Sequence, residues 1–227
     1  MNIEITRPIN REEWLRALHA KGTADKRLAA SLDEGERLLK AAARPKAVYK
    51  LIQRADFHIE GAAIEKHLEG CHEIIVMAVT LGIGVDQLIR KTQITDMAMA
   101  VILDTGASVL ADQLADEFQD HIRQQIEGKA MGTASGDTDV YMTFRFSPGY
   151  GDYPITEQTR IVRYLDAQRQ IGLNLTSDSL MIPRKSITAV IGVADHPVKG
   201  KLATCDQCVL RDKCELRKEG KFCGDRF

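Results

Sequence analysis

Residues 95–126 carry a single long helical pattern, and any fold for this chain has to house it. Leu103, Ala107, Leu110, Leu114, Phe118, Ile122 and Ile126 recur every three or four residues, which draws one apolar stripe along a helix of about nine turns. Residues 97–103 are apolar on every side, so that end is expected to be buried. Gly106 interrupts the pattern at a cost of about 1 kcal/mol relative to alanine, which implies a close backbone approach at that point. The glycine-rich stretch 128–136 ends the pattern.

Shorter elements flank it. Asn10 followed by Glu13 reads as a capping box for a helix with Trp14, Leu15 and Leu18 on its apolar side. A second helix runs through Leu28, Leu32 and Leu39 to Ala43 and stops before Pro45. Residues 47–52, 57–59 and 73–81 read as strands, and Gly82-Ile83-Gly84 as the turn before a helix over 85–91. Gln87 stands where a dinucleotide-binding fingerprint would need its third glycine. At 140–146, alternation places Val140, Met142, Phe144 and Phe146 on one face and Tyr141, Thr143 and Arg145 on the other. Thr156 can cap a helix that turns Ile161, Val162 and Leu165 inward and closes at Gly172, and 186–193 reads as a last strand. The chain thus divides into an N-terminal helical segment, residues 1–44, an α+β body, residues 45–198, and a short tail, residues 199–227.

Bulk properties narrow the function classes. The chain has 227 residues, 44% hydrophobic and 28% charged, with a formal net charge of -1. That suits one large globular domain with a small appendage and provides no global attraction to nucleic acid or to a membrane surface. No basic and apolar leader opens the sequence, and the longest apolar run, residues 74–81, has the length of a strand rather than of a membrane span. The expected setting is the cytoplasm, with no membrane and no nucleic acid as partner.

In a reducing compartment, closely spaced cysteines are metal ligands more often than disulfide partners. Cys205, Cys208, Cys214 and Cys223 form C-x2-C-x5-C-x8-C, four thiolates that can satisfy tetrahedral zinc or the four irons of a cubane iron–sulfur cluster. The spacing leaves both open. Residues 199–227 hold eight Lys and Arg against five Asp and Glu, an excess that partly offsets the thiolate charge. Cys71, between His67 and His72, reads as a partly buried structural thiol beside surface histidines.

The densest chemistry outside the tail is Arg145-Phe146-Ser147-Pro148-Gly149-Tyr150-Gly151-Asp152, which leaves a strand and feeds a helix. A guanidinium can hold a carboxylate through two parallel hydrogen bonds, glycine lets backbone N–H and C=O groups approach a ligand, and tyrosine offers a flat face with a hydroxyl. The helix expected from Thr156 would add a dipole favourable to an anion. By composition alone, a tight strand-to-helix connection without a ligand is the favoured reading.

These segments resemble a known family. Residues 104–123 (DTGASVLADQLADEFQDHIR), 145–150 (RFSPGY), the run from Thr156 to Leu165, and 175–181 with Pro183 are similar to the activation domain of cobalamin-dependent methionine synthase and to the stand-alone proteins related to it. The similarity spans roughly residues 45–197, and R-x-x-P-G-Y is its most specific part. It implies a helmet-like α+β fold with a mixed or antiparallel twisted sheet and long helices. It also implies a site for S-adenosylmethionine at Arg145, Gly149 and Tyr150, with Pro148 in the same element and Asp139 near an acidic family position. The implied activity is reductive repair: one electron and a methyl group from S-adenosylmethionine return oxidised cob(II)alamin to methylcobalamin. The protein supplies positioning rather than acid–base chemistry, as an accessory methyltransferase. No cobalamin-binding module is recognisable here, so the corrinoid would arrive on a partner, most simply a separately encoded methionine synthase. The electron would come from a flavodoxin or ferredoxin, with an iron–sulfur cluster at the four cysteines as a relay. The competing reading is a non-catalytic interaction protein with a structural zinc knuckle.

Overall fold

The computed structural model describes residues 1–20, 25–130, 140–198 and 212, the side chains of 128–130 excepted. Its elements are α1 (Arg11–Ala17), α2 (Lys26–Ala42), β1 (Lys46–Gln53), α3 (Ala62–His67), β2 (Glu73–Thr80), α4 (Ile83–Thr95), α5 (Met97–Ala130), β3 (Tyr141–Met142), α6 (Gln158–Tyr164), α7 (Ala167–Ile171), β4 (Asn174–Leu175), β5 (Met181–Ile182) and β6 (Ser186–Ala194). One sheet has the order β1-β2-β6-β3, and β4 and β5 form a separate antiparallel hairpin. Arg44 N–H donates to Leu81 C=O before β1, and Arg54 N–H donates to His72 C=O after it, so β1 and β2 run antiparallel; β3 runs antiparallel to β6. The architecture is α+β with an antiparallel sheet and long helices, as expected.

The chain forms two compact units. The first comprises Met1–Val48, Ala78–Ile122 and Val162–Ile187; the second comprises Tyr49–Met77, Arg123–Ile161 and Thr188–Phe227. Strands β1, β2 and β6 contribute residues to both.

The first unit is organised on α5. Leu103, Ala107, Leu110, Leu114, Phe118 and Ile122 are all buried, as their spacing requires. Trp14 of α1 is 0% exposed and explains Gly106: a Cβ there would stand 2.3 Å from the indole Cζ2. Gly35 of α2 lies against the same ring, where a Cβ would be 3.3 Å from Cη2. The indole therefore occupies a slot floored by two glycines. Its Nε1–H donates to Ile102 C=O at 3.0 Å and to Thr105 Oγ1 at 3.2 Å, so the ring is buried without an unsatisfied donor. Asn10 does cap α1, its side chain accepting from Glu12 and Glu13 N–H, but its own N–H donates to Gln113 Oε1 at 2.8 Å. The expected capping box is half formed, and α5 supplies the other half. α4 ends against Asp96, whose side chain accepts from Met99 N–H at 2.9 Å and starts α5 as a new helix.

Three expectations about the helices need correction. The apolar start of α5 is not wholly buried, because a helix can turn only part of its circumference inward: Ala100, Ile102 and Leu103 are buried, whereas Met97 is 62% and Val101 49% exposed. α5 is also long and apolar enough, by length and composition, to cross a membrane, although Asp104 interrupts its apolar run; half of that stretch is buried inside the fold. The helix expected from Thr156 to Gly172 divides at Asp166, which sits at φ 50°, into α6 and α7. Ile161, Val162 and Leu165 still face inward, and Gly172 closes α7 in the left-handed conformation.

In the second unit the middle of β2, from Ile74 to Met77, is fully buried. Residues 57–59 are not a strand. A single 3-10 turn, Arg54–Asp56, follows β1, and Phe57 and Ile59 instead turn buried side chains inward ahead of Gly61 at φ 123°. The chain leaves the ladder at that 3-10 turn, so the alternation of Phe57 and Ile59 reports burial and not pairing.

Candidate functional site

The geometry of the Arg145 loop begins with a break in strand pairing. Tyr141 pairs with Ala194 and Met142 with Val193, whereas Phe146 bridges Val190. Three residues, 143–145, therefore stand opposite two, 191 and 192, which is a β-bulge. The alternation expected through 140–146 fails here: Thr143, assigned to the polar face, is buried, and Arg145 is half-exposed at the end of the bulge. Bulges re-aim side chains, and this one sets the direction in which Arg145 leaves the sheet.

Beyond Phe146 the chain makes two interlocked turns. Tyr150 N–H donates to Ser147 C=O, Tyr153 N–H to Tyr150 C=O, and Gly149 N–H back to Tyr153 C=O at 2.8 Å. Gly149 has φ 95° and Gly151 φ 56°, values that glycine adopts without a Cβ penalty. Pro148 is buried beneath them. Tyr150 is 62% exposed and meets the Phe146 ring edge-on at 6.5 Å. The loop thus presents a guanidinium, a backbone bend at glycine and an accessible aromatic ring on consecutive turns. That set can take a carboxylate, backbone-directed polar groups and a flat apolar surface.

α3 grips the loop from both of its own ends. Asp152 accepts from Ala62 and Ala63 N–H at 2.8 Å each, capping a helix whose N-cap residue, Gly61, has no side chain. Gly61 is required there, since a Cβ would stand 3.1 Å from the Asp152 carbonyl oxygen. At the other end His67 is 1% exposed, its Nε2 lying 2.9 Å from Thr143 Oγ1 and 2.9 Å from Phe144 C=O. Its ring packs on Phe144 and Phe146 at 4.4 and 5.0 Å. The expectation of a surface histidine is overturned. Ala63, Ile64, His67 and Leu68 share the buried face of α3, and that helical spacing was the signal available. Asp152 could not have been found this way, because its partners lie ninety residues distant in sequence.

Three buried groups complete the surroundings. Tyr153 is 1% exposed, and its hydroxyl has no hydrogen-bond partner among the described residues; burial first, and then nearby Glu157, hold the phenol above its ordinary pKa. Glu157 is buried and pairs with the part-exposed Arg160 at 3.0 Å. Cys71 is buried against Gly192, and burial pushes its thiol up despite Arg54. The helix that follows the loop starts at Gln158 behind a 3-10 turn over Ile155–Glu157, capped by Pro154 without a side-chain bond. Thr156 is therefore not its cap, and Glu157, in the 3-10 turn just ahead of it, already places a carboxylate near the helix start, where an anion had been expected to benefit.

Arg145, Pro148, Gly149 and Tyr150 thus come together on one loop. Asp139, Cys205, Cys208, Cys214 and Cys223 lie outside the described residues. Among the described residues no three His, Cys, Asp or Glu side chains converge on a position for a metal ion.

Residues 53–208 match the family described as the activation domain of vitamin B12 dependent methionine synthase. No curated protein matches the chain. Among solved structures, the chain resembles a crystal structure of the MetH reactivation domain bound to AdoHcy, with a TM-score of 0.65 and 18% identity over 99% of this chain and 86% of that one. At that identity the likeness speaks for the fold, and the family match for kinship. On the extent of that match, the chain belongs to the family of vitamin B12 dependent methionine synthase activation domains.

Proposed function

We propose that this chain binds S-adenosylmethionine at the loop 145–150 and serves the reductive remethylation of a corrinoid carried by a methionine synthase, most simply one encoded separately. One observation carries this reading. The family's R-x-x-P-G-Y element stands on a bulge-directed turn with Arg145 half-exposed, Gly149 at φ 95° and Tyr150 accessible. Arg145 would take the methionyl carboxylate by a charge-assisted, two-pronged contact, which a lysine could not reproduce. Gly149 would let main-chain groups approach the ligand, Pro148 would stiffen the turn, and Tyr150 would cover one face of it. The relative bound to AdoHcy, the demethylated form of the same compound, supports a ligand of that class.

The chemistry balances with one added electron: cob(II)alamin, an electron and the methyl group of S-adenosylmethionine give methylcobalamin and S-adenosylhomocysteine. The protein's share is to hold the methyl donor still and oriented toward the corrinoid, which turns an encounter of two bound molecules into a near-unimolecular step. A flavodoxin or ferredoxin fits as electron source. The four cysteines of the tail fit either an iron–sulfur relay or a zinc that orders the C-terminal segment. Metal analysis with an absorption spectrum after anaerobic purification separates those two.

The activity test mixes the protein with a cob(II)alamin-loaded methionine synthase lacking its own activation domain, a reductant and S-adenosylmethionine. Methylcobalamin should form, read from its absorption spectrum, only when all components are present. Formation at the same rate without this protein removes the proposal.

A further inference from the structure

We propose that His67 and Asp152 are positioning residues: α3 is a brace that fixes the geometry of the Arg145–Tyr150 loop for its ligand. This deepens, and rests on, the assignment of that loop to S-adenosylmethionine. The need for a brace follows from the local backbone. After Met142 regular pairing stops, and the chain passes through a bulge, a proline and two left-handed glycines before Tyr153. Such a stretch has many backbone conformations of similar energy unless something outside it selects one.

α3 makes that selection at two points. The Phe144 carbonyl can only accept, so the His67 Nε2 that lies 2.9 Å from it carries the proton and donates. Thr143 Oγ1, also 2.9 Å from Nε2, accepts from Gly192 N–H at 2.8 Å, which fastens the bulge to β6. Both residues immediately precede Arg145. Downstream, the two Asp152 bonds to Ala62 and Ala63 hold the residue two beyond Tyr150. Along α3 these anchors lie four to five residues apart, about 6–8 Å at 1.5 Å per residue, a length that thermal motion changes little. Neither His67 nor Asp152 needs to touch the ligand to set where Arg145 and Tyr150 stand.

The test compares S-adenosylmethionine affinity by calorimetry, thermal unfolding, and hydrogen exchange of the 146–151 amides. It uses wild type, Arg145→Ala, His67→Leu, His67→Gln and Asp152→Asn. His67→Leu keeps an apolar body and loses the donor, and should weaken binding about tenfold. His67→Gln restores a donor and should recover most of that loss. Asp152→Asn keeps one acceptor oxygen of two and should weaken binding about threefold, and it carries the test should His67→Leu not fold. In folded His67→Leu and Asp152→Asn the loop amides should exchange faster than in wild type, and in His67→Gln and Arg145→Ala close to the wild-type rate. A purely structural role would shift the melting temperature while leaving affinity and loop exchange as in wild type, and that result overturns the brace. Absence of binding by wild type, or equal binding by Arg145→Ala, would instead defeat the ligand assignment, with loop exchange still deciding whether α3 braces the loop.

Discussion

The slot around Trp14 and the bulge beside Gly192 are both close approaches made possible by glycine, yet they hold the chain in different ways. In the first, an aromatic ring fills a space between helices, and its one polar atom is satisfied by α5 itself. In the second, strand pairing is interrupted, and side chains take up the polar groups that the ladder releases: His67 of α3 bonds the Phe144 carbonyl, and Thr143 of the bulge accepts from Gly192 N–H. Shape complementarity stabilises the first region; hydrogen bonding to irregular backbone specifies the second. A region of the second kind is where a binding loop can be held in a conformation that regular structure would not adopt.

Truncation should separate the two most sharply. Trp14→Ala removes the ring from a fully enclosed slot, and should cost about 3–5 kcal/mol of stability in chemical denaturation, with ligand affinity of the folded protein unchanged. A loss below about 1 kcal/mol would mean that the slot collapses and the glycines were not chosen for the ring. Gly192→Ala should cost less, about 1–3 kcal/mol, because its Cβ would stand 2.4 Å from Cys71 Sγ. In a Cys71→Ala background that penalty should shrink by about 1 kcal/mol, since the two sites share one contact; equal penalties in both backgrounds would place the strain elsewhere. The smallest effect belongs to Tyr153→Phe. It removes a buried hydroxyl with no partner among the described residues, so stability should stay within about 0.5 kcal/mol of wild type or rise, and a marked loss would reveal a hydrogen bond to a bound water or ligand.

The same contrast explains what could be read from the sequence. Helical periodicity reported α1, α2 and α5, each of which buries an apolar stripe, and continuous apolar runs reported β2 and β6, which are buried on both faces. Gly106 even announced its close approach, though not that the visitor was Trp14. Periodicity failed at Thr143, because the bulge over 143–145 interrupts the alternation and Met142, Thr143 and Phe146 are all buried, and at residues 57–59, whose alternation lies outside any strand. It also gave no hint of Asp152 capping α3, since a cap supplied from ninety residues away leaves no local pattern. The candidate loop was legible only as a motif; its support was not. His67 was the exception that could have been found, from its place beside Ala63, Ile64 and Leu68 on one helical face.

Binding of S-adenosylmethionine by the loop 145–150, with Arg145 as its carboxylate anchor, is open to one direct measurement. Calorimetric titration of S-adenosylmethionine into wild type and Arg145→Ala tests it most directly. Saturable binding by wild type, weakened about 10- to 100-fold in Arg145→Ala with an unchanged melting temperature, is the expected result. No binding by wild type, or the same affinity in both proteins, would contradict it.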